Sequence, residues 1–223
     1  MTGLLYLNGD LGGDVMSDGR ETVGLFPTAM QISMLPEAAV LNKDLMREVQ
    51  KIRKSTPNGR PDSWSSSVYT TLFTDDKLHE NPAFQPLTDH ILGEAKVFGE
   101  TLGIDLDNFE LAFKDCWFNI YGWKDGQEVH IHNNSIISGS YYLRIPEGAS
   151  GLVVHTPVME CMYLPPQKET NPYNTGFDEI FVEEGLIVLF RSNLKHSVKS
   201  NPINKERISI SFNIITNKSN QYL

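Results

Sequence analysis

Three histidines, an arginine and a serine stand where their side chains could do chemistry together. In EVHIHNNSIISGSYYL (128–143), His130 and His132 are one residue apart. On a strand, side chains alternate with period two, so Glu128, His130 and His132 would share one face. Two imidazoles on one face either point at a single ion or sit on a wet strand. A third ligand would be His196, where the apolar run in GLIVLFRSNLKHSV gives way to a polar loop. First-row divalent metals take neutral imidazole readily, and three protein ligands leave positions open for chemistry. Arg207 follows His196 by eleven residues, and Ser209 lies on the same face of the closing stretch ERISISF. A guanidinium gives a carboxylate two parallel charge-assisted hydrogen bonds, and a nearby hydroxyl adds one more. Buried beside a metal, an arginine needs an anionic partner to offset its desolvation. A small dicarboxylate would meet both needs, one end on the metal and the other on Arg207.

These residues must be carried by strands, and the chain supplies them in its second half. From about 108 onward the runs are short, aromatic and β-branched, separated by turn residues: FELAFKDCWFNIYGW before KDGQ, SIISGSYYLRIP before EGASG, then LVVHTP, IFVEEGLIVLF with a turn at Glu183–Gly185, and ERISISFNII. Many short strands joined by turns predict an antiparallel sandwich or barrel. The first half is helical in pattern. Residues 38–53 and about 82–103 carry apolar positions at helical spacing, and Gly103 closes the second helix. STPNGRPDSWSSS, between them, is a loop. Residues 1–22 read as a mobile arm, and 23–223 as one mainly β domain with flanking helices and no linker. The loop around 164–177 is a candidate lid. His79 and His90 fall in the helical half and read as surface histidines; His155 reads as structural.

Composition excludes several function classes. No apolar run approaches the length of a membrane span, and the start MTGLLYLNGD has no secretory signal pattern. A cytoplasmic protein is expected, in the host cytoplasm if phage-encoded. The net charge of −9 argues against nucleic acid as a partner. Cys116 and Cys161 form no CxxC pair and read as reduced thiols. The oligomeric state is not legible.

Together these motifs resemble the Fe(II)/2-oxoglutarate-dependent oxygenases, and within them the oxygenase group of bacteria and phages. The resemblance lies in LFPT (25–28), in 117–151 from WFNIYG to EGASG, in EEGLIVLFRSNLKHSV (183–198) and in ERISISFNI (206–214). The family's HxD/E…H…RxS order stands here as His130–Ile131–His132, His196 and Arg207–Ile208–Ser209. The resemblance implies a double-stranded β-helix (a jelly-roll barrel), Fe(II), 2-oxoglutarate and O₂. It implies that His130, His132 and His196 hold iron and that Arg207, assisted by Ser209, holds the distal carboxylate of 2-oxoglutarate. Asn119, Tyr121 and Tyr142 either complete that pocket or pack the β core. The implied reaction is hydroxylation of a small-molecule or peptidyl substrate, with 2-oxoglutarate and O₂ converted to succinate and CO₂. The sequence departs from the pattern at His132, where most of the superfamily has a carboxylate, at Asn133 in place of proline, and in the polar FRSNLKH. A three-histidine dioxygenase of the cupin type is the rival reading, although Ile136 and Ile137 stand where its first motif wants glutamate. A non-catalytic β-barrel binding protein is the third.

Overall fold

The computed structural model describes residues 14–15, 20–22, 24–157 and 165–218. Cys161 and most of the expected arm lie outside these. Within the arm, β1 (Asp14–Val15) pairs antiparallel with β2 (Glu21–Thr22). There follow β3 (Met30–Met34), α1 (Ala38–Ser55), β4 (Tyr69–Thr70), two 3-10 turns (Leu78–Glu80 and Pro82–Phe84) and α2 (Gln85–Thr101). The second half holds β5 (Phe109–Tyr121), β6 (Gln127–His130), β7 (Ile137–Arg144), β8 (Leu152–His155), β9 (Phe177–Ile180), β10 (Leu186–Arg191), β11 (His196–Val198) and β12 (Arg207–Lys218). Both helices expected from periodicity are present, the second entered through a 3-10 turn. Gly103, at φ +69°, ends it as expected: Gly103 N–H bonds the Glu100 carbonyl and Ile104 N–H the Gly99 carbonyl, a left-handed closure that glycine adopts without steric cost.

Two antiparallel sheets face each other. The larger runs β3-β10-β7-β12-β5-β4 and the smaller β6-β11-β8-β9. This is the double-stranded β-helix, with α1 and α2 packed outside the larger sheet. Alternation along the central strands makes the arrangement work. Ile208, Ile210, Phe212 and Ile214 of β12, with Cys116, Phe118 and Ile120 of β5 and Ile137, Tyr141 and Leu143 of β7, join the helix residues Leu45, Val49, Leu87, Ile91 and Phe98 in one core. Each such side chain contributes about 1.5–3 kcal/mol by leaving water. Asn42 of α1 adds a polar tie, accepting from the Tyr141 hydroxyl and donating to the Leu143 carbonyl. The intervening residues of the same strands, among them Trp117, Asn119, Tyr121, Ser140, Tyr142, Arg207, Ser209 and Ser211, line the barrel interior.

Gly139 is the tightest point of this packing. A Cβ there would lie 2.3 Å from the Val188 carbonyl oxygen and 2.6 Å from Phe212 Cζ. Overpacking a core costs about 1–3 kcal/mol, and for a domain of this size each kcal/mol lowers Tm by about 2–4 °C. Gly139→Ala is therefore expected to lower Tm by several degrees in a thermal melt.

Two sequence expectations differ from the structure. His79 and His90 are half-buried rather than on the surface: His79 stacks on Phe113 at 5.3 Å, and His90 Nε2 lies 3.7 Å from Glu94. The expected turn at Glu183–Gly185 is present, with Leu186 N–H on the Glu183 carbonyl, and it passes the chain from one sheet to the other: β9 pairs with β8 in the smaller sheet and β10 with β7 and β3 in the larger. The described part of the candidate lid, from 165, lines no part of the interior cavity. It bonds to itself instead, Asn174 Nδ2 to the Glu169 carbonyl and Gln167 Nε2 to the Asn174 carbonyl. No helix among the described residues is long and apolar enough to cross a membrane.

Candidate active site

The smaller sheet brings two of the histidines together and its rim supplies the third. His196 on β11 is the register partner of His130 on β6. His132 lies just past β6, tied by its N–H to the Ser192 carbonyl at 2.9 Å. The ring centroids are 4.2 Å apart for His130 and His196, 4.9 Å for His132 and His196, and 5.2 Å for His130 and His132. One ligand nitrogen from each lies within 4.8 Å of the others, so the set could hold a metal ion.

Each ring is oriented by the same device. His130 Nδ1 meets the Glu128 carbonyl at 2.7 Å, His196 Nδ1 the Leu194 carbonyl at 2.8 Å, and His132 Nδ1 the Asn213 Oδ1 at 2.6 Å. All three partners are acceptors, so each Nδ1 carries the proton and each Nε2 keeps its lone pair. Burial lowers the basicity of all three. It acts first at His130, opposed by the Glu128 carbonyl. Burial and then the charge of His130 depress His132 to about 4 and His196 to about 3. At neutral pH the three are uncharged donors.

A second layer stands behind His132. Asn213 Oδ1 also accepts from the Ser138 hydroxyl at 2.8 Å, and its Nδ2 donates to Asp115 Oδ2 at 3.1 Å. Asp115 thereby sets which way the Asn213 amide faces, and the amide sets the imidazole. Such outer partners typically change metal affinity 10–100-fold. Asn213→Leu is expected to weaken Zn(II) or Co(II) binding by roughly that factor, read by competition with a chelator. Asn213 was missed at the sequence level, although its signal was present: it continues the period-two series of Arg207, Ser209 and Ser211 on β12.

The opposite end of the same interior holds Arg207, only 1% exposed. Its Nε donates to the Ser150 carbonyl at 2.9 Å, and its guanidinium carbon lies 4.9 Å from the Tyr121 ring centre and 5.3 Å from that of Tyr142. Among the described residues neither the buried Arg207 Nη1 nor the buried Tyr142 hydroxyl has a hydrogen-bond partner. Burial pushes that phenol up to about 12 despite the nearby Arg207 charge, so it remains a proton donor. Among the described residues no carboxylate is paired with Arg207.

All the residues singled out from the sequence line one cavity of about 820 Å³, its open mouth included: His130, His132, His196, Arg207, Ser209, Asn119, Tyr121 and Tyr142. Asn119 also has a partner in the strands, Nδ2 donating to Ser211 Oγ at 3.1 Å. Glu128 is the exception to the expected shared face. Between the pairs His196↔His130 and Val198↔Gln127 the register slips, because three residues of β6 span two of β11. This bulge turns Gln127 and His130 inward and leaves Glu128 off the cavity. His155 lies outside the cavity and bonds Ser197 Oγ at 2.9 Å, as a structural histidine would.

Comparison with known proteins bears on the fold and on the segment that carries these residues. No curated protein matches the chain. A prolyl-4-hydroxylase from Pseudomonas putida superposes with a TM-score of 0.55 at 14% identity, over 83% of this chain and 92% of that one. A prolyl hydroxylase from Trichoplax adhaerens, solved with a hypoxia-inducible-factor peptide, gives 0.60 at 14% identity over 84% of each chain. The epimerase SnoN, solved with Fe3+, alpha-ketoglutarate and nogalamycin RO, gives 0.61 at 10% identity over 88% of this chain and 83% of that one. At these identities the likeness is one of fold. The family model described as "Putative 2OG-Fe(II) oxygenase" matches residues 115–213. That segment contains the three histidines, Arg207, Ser209 and Asn213, and over it the chain is similar to this family of oxidoreductases.

Proposed function

We propose that this protein is an Fe(II)- and 2-oxoglutarate-dependent oxygenase that hydroxylates a C–H bond of a small-molecule or peptidyl substrate. His130, His132 and His196 would hold the iron. Arg207, with Ser209 and Tyr142, would hold the distal carboxylate of 2-oxoglutarate. The observation that carries this reading is the buried guanidinium with an unpartnered Nη1, facing the same cavity as three neutral imidazoles. A buried cation without an anion is costly, so the site suits an anion that arrives as a ligand. The donor chemistry fits as well: three free Nε2 lone pairs for a first-row metal at one end, a planar fork of N–H groups for a carboxylate at the other.

When bound there, iron supplies the oxidising chemistry: 2-oxoglutarate and O₂ give succinate and CO₂, and one oxygen atom enters the substrate C–H bond as hydroxyl. The protein's share is placement. Arg207 donates to the cosubstrate, and the neutral Tyr142 phenol can add a second donor. The Glu128 and Leu194 carbonyls and Asn213 hold the imidazoles in one tautomer. Trp117, 5.7 Å from the His132 ring, walls the metal end with an apolar surface.

The test is a thermal-shift titration of metal-loaded protein with 2-oxoglutarate or N-oxalylglycine. Stabilisation should follow the ligand concentration, and anaerobic Fe(II) with 2-oxoglutarate should give a weak visible charge-transfer band. No stabilisation and no band would overturn the reading. The all-imidazole donor set favours one rival, a three-histidine dioxygenase that uses no oxoacid, and the same titration separates the two. Two of the fold relatives are prolyl hydroxylases and one is an epimerase. Mass analysis of the product for an added oxygen atom therefore tests hydroxylation itself.

A further inference from the structure

The loop between α1 and β4 is built into the cavity wall. Its root is closed: Gly59 N–H bonds the Thr70 carbonyl at 2.7 Å, and Asn58 bonds the Val68 carbonyl and the Thr70 N–H. Its far side is fastened by three consecutive serines to the turn that enters β6. Ser65 N–H and hydroxyl both donate to Glu128 Oε1, the former at 2.7 Å. Ser66 Oγ donates to the Gly126 carbonyl at 2.7 Å, and Ser67 N–H to Asp125 Oδ1 at 2.8 Å. Between root and fastening stands Trp64, positioned by Arg60 Nη1 on its carbonyl. Trp64 lines the cavity and packs against the small cluster of Val68, Tyr121 and Val198. Tyr121 is the ring beneath Arg207, so the indole borders the arginine end. Glu128, which the β6 bulge turns off the cavity, serves two masters: its carboxylate holds the strap and its carbonyl orients His130.

We propose that residues 57–68 form a strap that closes the Arg207 end of the cavity with Trp64, latched by Glu128, and that seating the strap and binding 2-oxoglutarate favour each other. This rests on the reading of the cavity as a 2-oxoglutarate site. The physical basis is water exclusion. An indole over the arginine end lowers the local dielectric around the guanidinium–carboxylate pair and strengthens it. Linkage then requires the ligand to stabilise the closed strap by the same factor. Trp64 acts as a wall and Glu128 as a positioning residue.

The test uses the full chain loaded with Zn(II). Titration with 2-oxoglutarate is compared for wild type, Trp64→Ala, Glu128→Ala and Glu128→Gln. The first two variants should bind 2-oxoglutarate roughly tenfold more weakly. Glu128→Gln, which keeps an acceptor oxygen, should recover most of the loss. Zn(II) affinity should change by less than about threefold, because the residue-128 carbonyl that orients His130 survives all these changes. Chymotrypsin cleavage after Trp64 gives a second readout: saturating 2-oxoglutarate should slow it in wild type, and Glu128→Ala should hasten it. If wild type binds 2-oxoglutarate while both alanine variants bind it equally well, or cleavage ignores the ligand, the strap proposal is overturned and the oxygenase reading stands. If wild type itself does not bind, the cosubstrate reading fails and the strap proposal falls with it. Should Trp64→Ala not fold, the Glu128 pair decides.

Discussion

Arg207→Met is expected to weaken 2-oxoglutarate binding by two orders of magnitude or so, while leaving the ligand-free protein as stable as before or more stable. The two halves of that result have one cause. Among the described residues Arg207 is buried with Nη1 unpartnered, and its Nε donates to the Ser150 carbonyl. Removing one partner of a buried, hydrogen-bonded charge pair costs about 2–5 kcal/mol, and that loss falls on the complex. Among the described residues the guanidinium of the free protein has no counter-charge, and replacing buried charge by an apolar side chain is often neutral or stabilising by about 1–4 kcal/mol. Thermal melts with and without 2-oxoglutarate read both effects in one experiment. A structural arginine would give the reverse pattern, a lower ligand-free Tm and unchanged ligand affinity. Arg207→Lys keeps the charge and loses the planar fork, so an intermediate affinity is expected.

His196→Ala is expected to remove metal binding in the working range and all metal-dependent turnover. His196 is 5% exposed, sits opposite His130 in register, and has its Nδ1 satisfied by the Leu194 carbonyl. Spreading the roughly 10–16 kcal/mol of a four-ligand structural zinc site over its ligands gives about 3 kcal/mol each, or some two orders of magnitude in affinity. The metal-induced rise in Tm should vanish along with turnover. A metal-free melt within a few degrees of wild type would show that the fold survives. Metal affinity equal to wild type would mean that the three rings share no ion.

Much of the candidate site was legible because strand alternation is a local property. Arg207 and Ser209 are two residues apart on one strand, and a two-residue step returns a side chain to the same face wherever that strand lies. The helices were legible for the same reason: buried Leu45, Val49 and Ile52 repeat at helical spacing within one short window. Even the missed Asn213 obeys this rule. Reading two steps beyond Ser209 would have reached it.

What the sequence by itself determined, then, is which side chains face together along each strand and which helix faces are apolar. These follow from backbone geometry over a few residues. Tertiary structure decided the rest, because it depends on partners far apart in the chain. The bulge that turns Glu128 from the histidines exists only in the pairing of β6 with β11. The parting of β9 and β10 into different sheets follows from which neighbours each strand meets. The long loop around 164–177 was a candidate lid because loops over a rigid barrel often set specificity, yet it is Trp64, in the loop 57–68, that lines the cavity, since a loop covers what its anchors place beneath it. That no carboxylate among the described residues pairs with Arg207 is likewise a tertiary fact: its type and position could be read from the chain, but its surroundings required every neighbour to be in place.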